Sequence, residues 1–175
     1  MVANNNDQKM REIIVKRAQW WKEIWHKYPN RREWFWAFMM DTSGWRMKWG
    51  TNVGECMAGA SECWQAAGIL IGYDKNADGY VETDERTATP ATAADWGQQM
   101  GLWTEKGELP KPGDILFTNE GKSGHAAVVV EMMDNDRFKT IEFNLSDSVG
   151  SRVWAITDSR ITGYISPHTD LAMFV

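Results

Sequence analysis

The sequence predicts an α+β fold, with helices first and then an antiparallel sheet of about five to six strands. Two observations predict it. In the first hundred residues apolar side chains recur three or four apart, the spacing of helices packed on one face. Beyond residue 110 the period changes to short apolar runs separated by tight turns, the signature of consecutive strands.

The chain has 175 residues, of which 43% are apolar and 25% charged. That balance suits a folded domain and excludes a disordered or low-complexity chain. No apolar run approaches the ~18 residues of a membrane span; the longest are 34–40 and 126–130. The first residues, Met1-Val2-Ala3-Asn4-Asn5-Asn6-Asp7, lack a basic stretch leading into an apolar one, so no secretory signal is expected. Two cysteines are too few for a disulfide scaffold. A net charge of −5 argues against a general nucleic-acid binder. The charge is uneven: residues 1–50 hold ten Lys/Arg against five Asp/Glu and seven of the eleven tryptophans. The chain therefore divides into a Trp-rich, basic helical segment, 1–50, and a main domain, 51–175.

Residues 8–28 read as an amphipathic helix carrying Ile14, Ala18, Trp21 and Trp25, broken at Tyr28-Pro29-Asn30. Asn30 with Glu33 forms a capping-box pattern for a second helix bearing Trp34 and Phe38. Core packing is the plain explanation of these aromatics; a surface for an anionic polymer or a membrane face is the sharper one. Residues 55–67 form a third helix, which Gly68 stops. A polar, acidic loop runs to about Thr89, and 90–101 reads as a short helix closed by Gly101. Strands follow at 115–117, 125–130, 138–144, 153–156 and 161–165.

Cys56 opens the third helix. The positive end of a helix dipole and its unpaired first-turn amides favour a thiolate there and can hold an oxyanion. Cys63 lies seven residues on, about 10.5 Å away at 1.5 Å rise per residue, beyond the ~7 Å limit of a disulfide. Cys63 reads as core, and a buried core cysteine is also the competing reading for Cys56.

Of three histidines, His26 sits in the basic helix and His168 in a C-terminal loop. His125 starts an apolar strand. A structural role is open to it, but Glu142 and Asn144 on the next strand are two residues apart and so share one face, opposite Ile141 and Phe143. A polar pair in an apolar strand needs a partner, and His125 on the adjacent strand can be that partner. A side chain bound to one imidazole nitrogen fixes the tautomer and leaves the other to activate a thiol. Cysteine at a helix start, histidine at a strand start and an orienting group on the next strand is the papain-type arrangement.

At these residues the chain resembles the CHAP family, the cysteine, histidine-dependent amidohydrolases/peptidases that hydrolyse peptidoglycan. The resemblance is carried by Gly54-Glu55-Cys56 with its twelve-residue step to Gly68, by Pro110-Lys111-Pro112-Gly113-Asp114-Ile115, by Gly124-His125-Ala126-Ala127-Val128-Val129, and by Ile141-Glu142-Phe143-Asn144. It spans roughly residues 50–166. It implies a papain-like fold, Cys56 as nucleophile, His125 as base, and Glu142 and Asn144 as orienting groups. It also implies cleavage of an amide in the wall peptide, by an N-acetylmuramoyl-L-alanine amidase or an endopeptidase. Bacteriophage endolysins are the type expected, cytoplasmic in the host cell until released to the wall.

Residues 74–85, Asp-Lys-Asn-Ala-Asp-Gly-Tyr-Val-Glu-Thr-Asp-Glu, match the twelve-residue EF-hand calcium loop. Asp74, Asn76 and Asp78 occupy positions 1, 3 and 5, and Gly79 the sharp turn. Tyr80 offers its carbonyl at position 7, Glu82 acts through water at position 9, and Glu85 is the bidentate ligand at position 12. Gly68 and Gly72 disrupt an entering helix, so this is a single EF-hand-like loop. The expected role of Ca2+ is structural or regulatory; an acidic solvated turn is the alternative. The expected partner is peptidoglycan, with no nucleic acid, peripheral membrane contact through the Trp-rich segment as an option, and a monomeric state. The competing functions are an amidase toxin of the same fold and a non-catalytic calcium-binding module.

Overall fold

The computed structural model describes residues 5–28, 55–72, 89–122, 124–146 and 148–168. Among them are three helices, α1 (Asn5–Lys27), α2 (Glu55–Gln65) and α3 (Pro90–Gln99). Six strands follow: β1 (Trp103–Glu105), β2 (Ile115–Thr118), β3 (His125–Met133), β4 (Arg137–Leu145), β5 (Ser148–Ala155) and β6 (Ile161–Ile165). They form one antiparallel sheet in the order β1-β6-β2-β3-β4-β5. The α+β architecture expected from the change of period is therefore present, and it is consistent with a CHAP fold. The second helix expected near Trp34, the chain boundary at residue 50 and the calcium loop at 74–85 lie outside the described residues.

In α1, Met10, Ile14, Ala18 and Trp21 form one buried stripe. The stripe joins α2, α3 and one face of the sheet in a single apolar core, with Met57, Ala60, Cys63 and Trp64 from α2 and Val128, Ile141 and Phe143 from the strands. Two buried carboxylates anchor the basic helix. Glu62 of α2 accepts from Arg17 Nε at 2.8 Å, from Arg17 Nη2 and from Trp21 Nε1. Asp114, ahead of β2, accepts from Arg11 Nη1 at 2.6 Å, from the Lys111 amide at 2.7 Å and from Ser166 Oγ at 2.9 Å. A buried carboxylate requires such partners, because desolvating it alone costs several kcal/mol.

α2 is buried from Cys56 to Trp64. It ends at Gly68, whose φ of 82° is the left-handed cap expected of glycine; the amides of Gly68 and Ile69 close onto Gln65 O and Trp64 O. α3 starts with Thr89 as N-cap, reciprocal bonding with Thr92, and Pro90 in the first turn. The opposite sheet face buries Leu116, Ala127, Val129, Phe138, Trp154 and Tyr164. Burial on both faces explains why β2 and β3 read as continuous apolar runs. Two strand expectations are corrected: β5 begins at Ser148, and β1 was not expected at all. Both are edge strands, where half-exposed residues such as Ser148, Gly150 and Ser151 weaken the apolar pattern. No described helix is long and apolar enough to cross a membrane.

Candidate active site

Cys56 is the second residue of α2, as the helix-start placement required. It retains 7% of its surface. Gly59, one turn further on, sets how closely this helix approaches the sheet: a Cβ there would lie 2.1 Å from the Phe143 ring. Gly59→Ala is expected to cost about 1–2 kcal/mol in denaturant unfolding, since overpacking outweighs the ~1 kcal/mol that alanine gains in a helix. It should also impair activity by moving Cys56 from β3 and β4.

His125 opens β3 immediately after Gly124, whose φ is 77°. Ala127 pairs directly with Glu142 across β3 and β4, so His125, two residues before Ala127, is the diagonal neighbour of Glu142 on the same face. His125 Nε2 donates to Glu142 Oε2 at 3.0 Å. A carboxylate only accepts, so Nε2 carries the proton and Nδ1 is left for a second partner. Cys56 is near enough to the ring for its sulfur to raise the ring's titration. The structure thus brings together Cys56, His125 and Glu142.

Asn144 is not in that group. Its φ of 66° and the register shift between Phe143 and Leu145 interrupt the strand alternation, and its side chain is exposed. The bulge interrupts the alternation from which a shared face for Glu142 and Asn144 is expected. Between the two orienting candidates, the geometry favours Glu142.

Glu142 is fully buried and well supplied with donors. Its Oε1 accepts from Thr140 Oγ1 and from Trp154 Nε1, each at 3.0 Å. Its Oε2 takes His125 and forms an ion pair with Arg152 Nη2 at 3.3 Å. Burial pushes the Glu142 carboxyl up, but the His125 bond and charge, then Arg152 and Trp154, outweigh it and hold the group below its ordinary range. For His125, burial pushes down, while bonds to Cys56 and Glu142 and their charges raise it to about 9. The ring therefore holds both protons at neutral pH.

Thr140, Trp154 and Arg152 were missed in the sequence. The Thr140-x-Glu142 spacing places that hydroxyl on the correct face and was a legible signal. Arg152 and Trp154 needed the register of β5 on β4, which the sequence does not supply.

The other histidines stand apart. His26 Nδ1 is 2.8 Å from Lys22 O within its own helix. His168 lines a cavity of about 920 Å3 with Arg11, Val15, Trp103 and Pro112. That cavity includes neither Cys56 nor His125 in its walls, so its size does not make it the reacting centre. Among the described residues no group of three His, Cys, Asp or Glu side chains could hold a metal ion. Of the calcium-loop residues Asp74, Asn76, Asp78, Tyr80, Glu82 and Glu85, none is among the described residues.

Comparison with known proteins places the chain in a family. A search of curated proteins gives no match. The CHAP domain family model matches residues 44–144, more than half the chain and the stretch that carries Cys56, His125 and Glu142. The chain belongs to the CHAP domain family, and is thereby a peptidoglycan hydrolase of the amidase/peptidase type.

Proposed function

We propose that the protein cleaves an amide bond of the peptidoglycan peptide with Cys56 as nucleophile, His125 as acid and base, and Glu142 as the group that orients the ring. The supporting observation is one imidazole held on Nε2 by a buried carboxylate and within reach of a thiol at a helix start. The Cys56 thiolate attacks the peptide carbonyl carbon. The oxyanion is taken by first-turn amides of α2, which have no partner within the helix. Imidazolium Nδ1 gives its proton to the departing amine, leaving a thioester. Water then loses a proton to the neutral ring and attacks the thioester, releasing a carboxylate and regenerating the thiol.

The bond is an N-acetylmuramoyl-L-alanine amide or a peptide bond of the stem or cross-bridge. Purified peptidoglycan incubated with the protein should yield new amines and new carboxylates, and mass spectrometry of the fragments assigns the bond. New reducing sugar ends without new amines would contradict the proposal. The phage-lysin role is supported by the family resemblance alone. Its test is expression inside a bacterium with a membrane-pore-forming partner, where lysis should require both proteins.

The 74–85 loop completes the proposal as a calcium site held by Asp74, Asn76, Asp78, Tyr80, Glu82 and Glu85. Its five acidic side chains repel one another without a cation. The loop lies between α2 and α3 in the chain, and the ion's role is to order this connection. Chelation is expected to lower both the melting temperature and the activity, with recovery on adding Ca2+ but not Mg2+. An unchanged melting temperature with chelator would remove calcium from the account.

A further inference from the structure

We propose that Arg152 is a positioning residue for this reaction, pinning the Glu142 carboxylate in its place against His125 while Glu120 holds Arg152. This inference rests on the thiol–imidazole reading above and extends it to a residue outside the Cys-His-Glu set.

Arg152 sits on β5 opposite Thr140 of β4. Its Nη2 lies 3.3 Å from Glu142 Oε2, the oxygen that also accepts from His125. Its Nη1 donates to Glu120 Oε2 at 2.7 Å. The other Glu120 oxygen accepts from Arg160 Nη1 at 2.9 Å, and Arg160 is itself gripped by Asp158 through Nε at 3.0 Å and Nη2 at 2.7 Å. The guanidinium carbons of Arg152 and Arg160 each lie 4.7 Å from the Trp154 ring centroid. That same indole donates to Glu142 Oε1. Glu120 belongs to the connection between β2 and β3, five residues before His125. One planar cation thus ties the strand bearing the carboxylate to the turn that leads into the base. A guanidinium can do this because its fork reaches two carboxylates in fixed directions.

The groups facing Glu142 are His125 from β3 with Cys56 of α2 beyond it, Thr140 on its own strand, and Arg152 and Trp154 from β5. Glu120, Arg160 and Asp158 stand behind Arg152. A cation favours the deprotonated form of each neighbour. Removing it therefore raises the titration of the whole cluster, while a neutral side chain of similar length preserves the fold, since Glu142 keeps His125, Thr140 and Trp154.

The test is the pH dependence of Cys56 alkylation by iodoacetamide, with the modified residue located by mass spectrometry. It needs no substrate. In Arg152→Gln the profile should move to higher pH by about one unit, so that alkylation on its acid limb is about tenfold slower than in the wild type. Arg152→Lys should return the profile to its place but leave peptidoglycan hydrolysis impaired, because a point charge does not bridge both carboxylates. Glu120→Gln should lower kcat about fivefold with KM unchanged, and should have no further effect in the Arg152→Gln background.

An Arg152→Gln profile that superposes on the wild type overturns the proposal. If that variant does not fold, an unchanged kcat in Glu120→Gln overturns it. A wild-type profile with only the single step of an ordinary thiol would instead overturn the thiol–imidazole reading itself.

Discussion

Replacing Cys56 by alanine is expected to lower release of amines from purified peptidoglycan by at least about 10⁴-fold, since loss of a covalent nucleophile leaves only binding and oxyanion stabilisation. No second thiol can take over. Cys63 is fully buried on the same helix. Burial raises its thiol well above the usual range, the Glu62 charge adds to this, and Arg17 offsets only part. The fold should survive, because only a sulfur atom at a nearly closed site is lost; unfolding should change by about 1 kcal/mol. Activity and stability therefore separate in this variant. Zymography beside a denaturant melt measures both, and a Cys56→Ala protein that still clears peptidoglycan would remove the nucleophile.

Glu142→Gln is expected to reduce turnover by about 10²–10⁴-fold and to destabilise the fold by about 2–4 kcal/mol. The carboxylate meets donors at both oxygens: Thr140 and Trp154 on one, His125 and Arg152 on the other. A glutamine presents an NH2 group to one of those pairs in either orientation, so two donors lose their acceptor and Arg152 loses one of its two carboxylate partners. Removing the anion also lowers the His125 titration, so the alkaline limb of activity should move to lower pH. The stability profile carries the same signs. His125 is raised from 6.5 to about 9, so its contribution is complete below about pH 6.5 and is lost as pH rises through 9. Glu142 is lowered, so its contribution is present above the ordinary carboxylate range and is lost on acidification below it. Urea melts at pH 6.5, 8 and 9.5 should show the alkaline loss in the wild type and a flatter response in Glu142→Gln.

Much of this site was legible before any coordinates. Gly54 and Gly68 bracket an apolar, small-residue run, which predicts a helix opening at Cys56, and α2 begins at Glu55. Strand alternation predicts that Glu142 faces His125, and the β3–β4 register sets them diagonally on one face. Alternation failed two residues later. Asn144 adopts a left-handed backbone that an asparagine tolerates better than most residues, and nothing in the local pattern distinguishes such a bulge from a continuing strand. The role of α1 was only partly legible. Its apolar stripe was visible at helical spacing, but the buried partners of its arginines, Glu62 and Asp114, lie 45 and 103 residues away in sequence. Long-range ion pairs of that kind carry no local signal. Arg152 is the extreme case: its importance depends on the pairing of two strands and on the direction of one long side chain.

The most direct test of a thiol–imidazole hydrolase is to trap its covalent intermediate. The protein should be mixed with soluble peptidoglycan fragments, quenched in acid during turnover, and digested for mass spectrometry. A peptidyl or muramoyl thioester is expected on Cys56, absent from Cys63, and lost in His125→Ala. Steady amide hydrolysis with unmodified Cys56, or an adduct on any other residue, would contradict it.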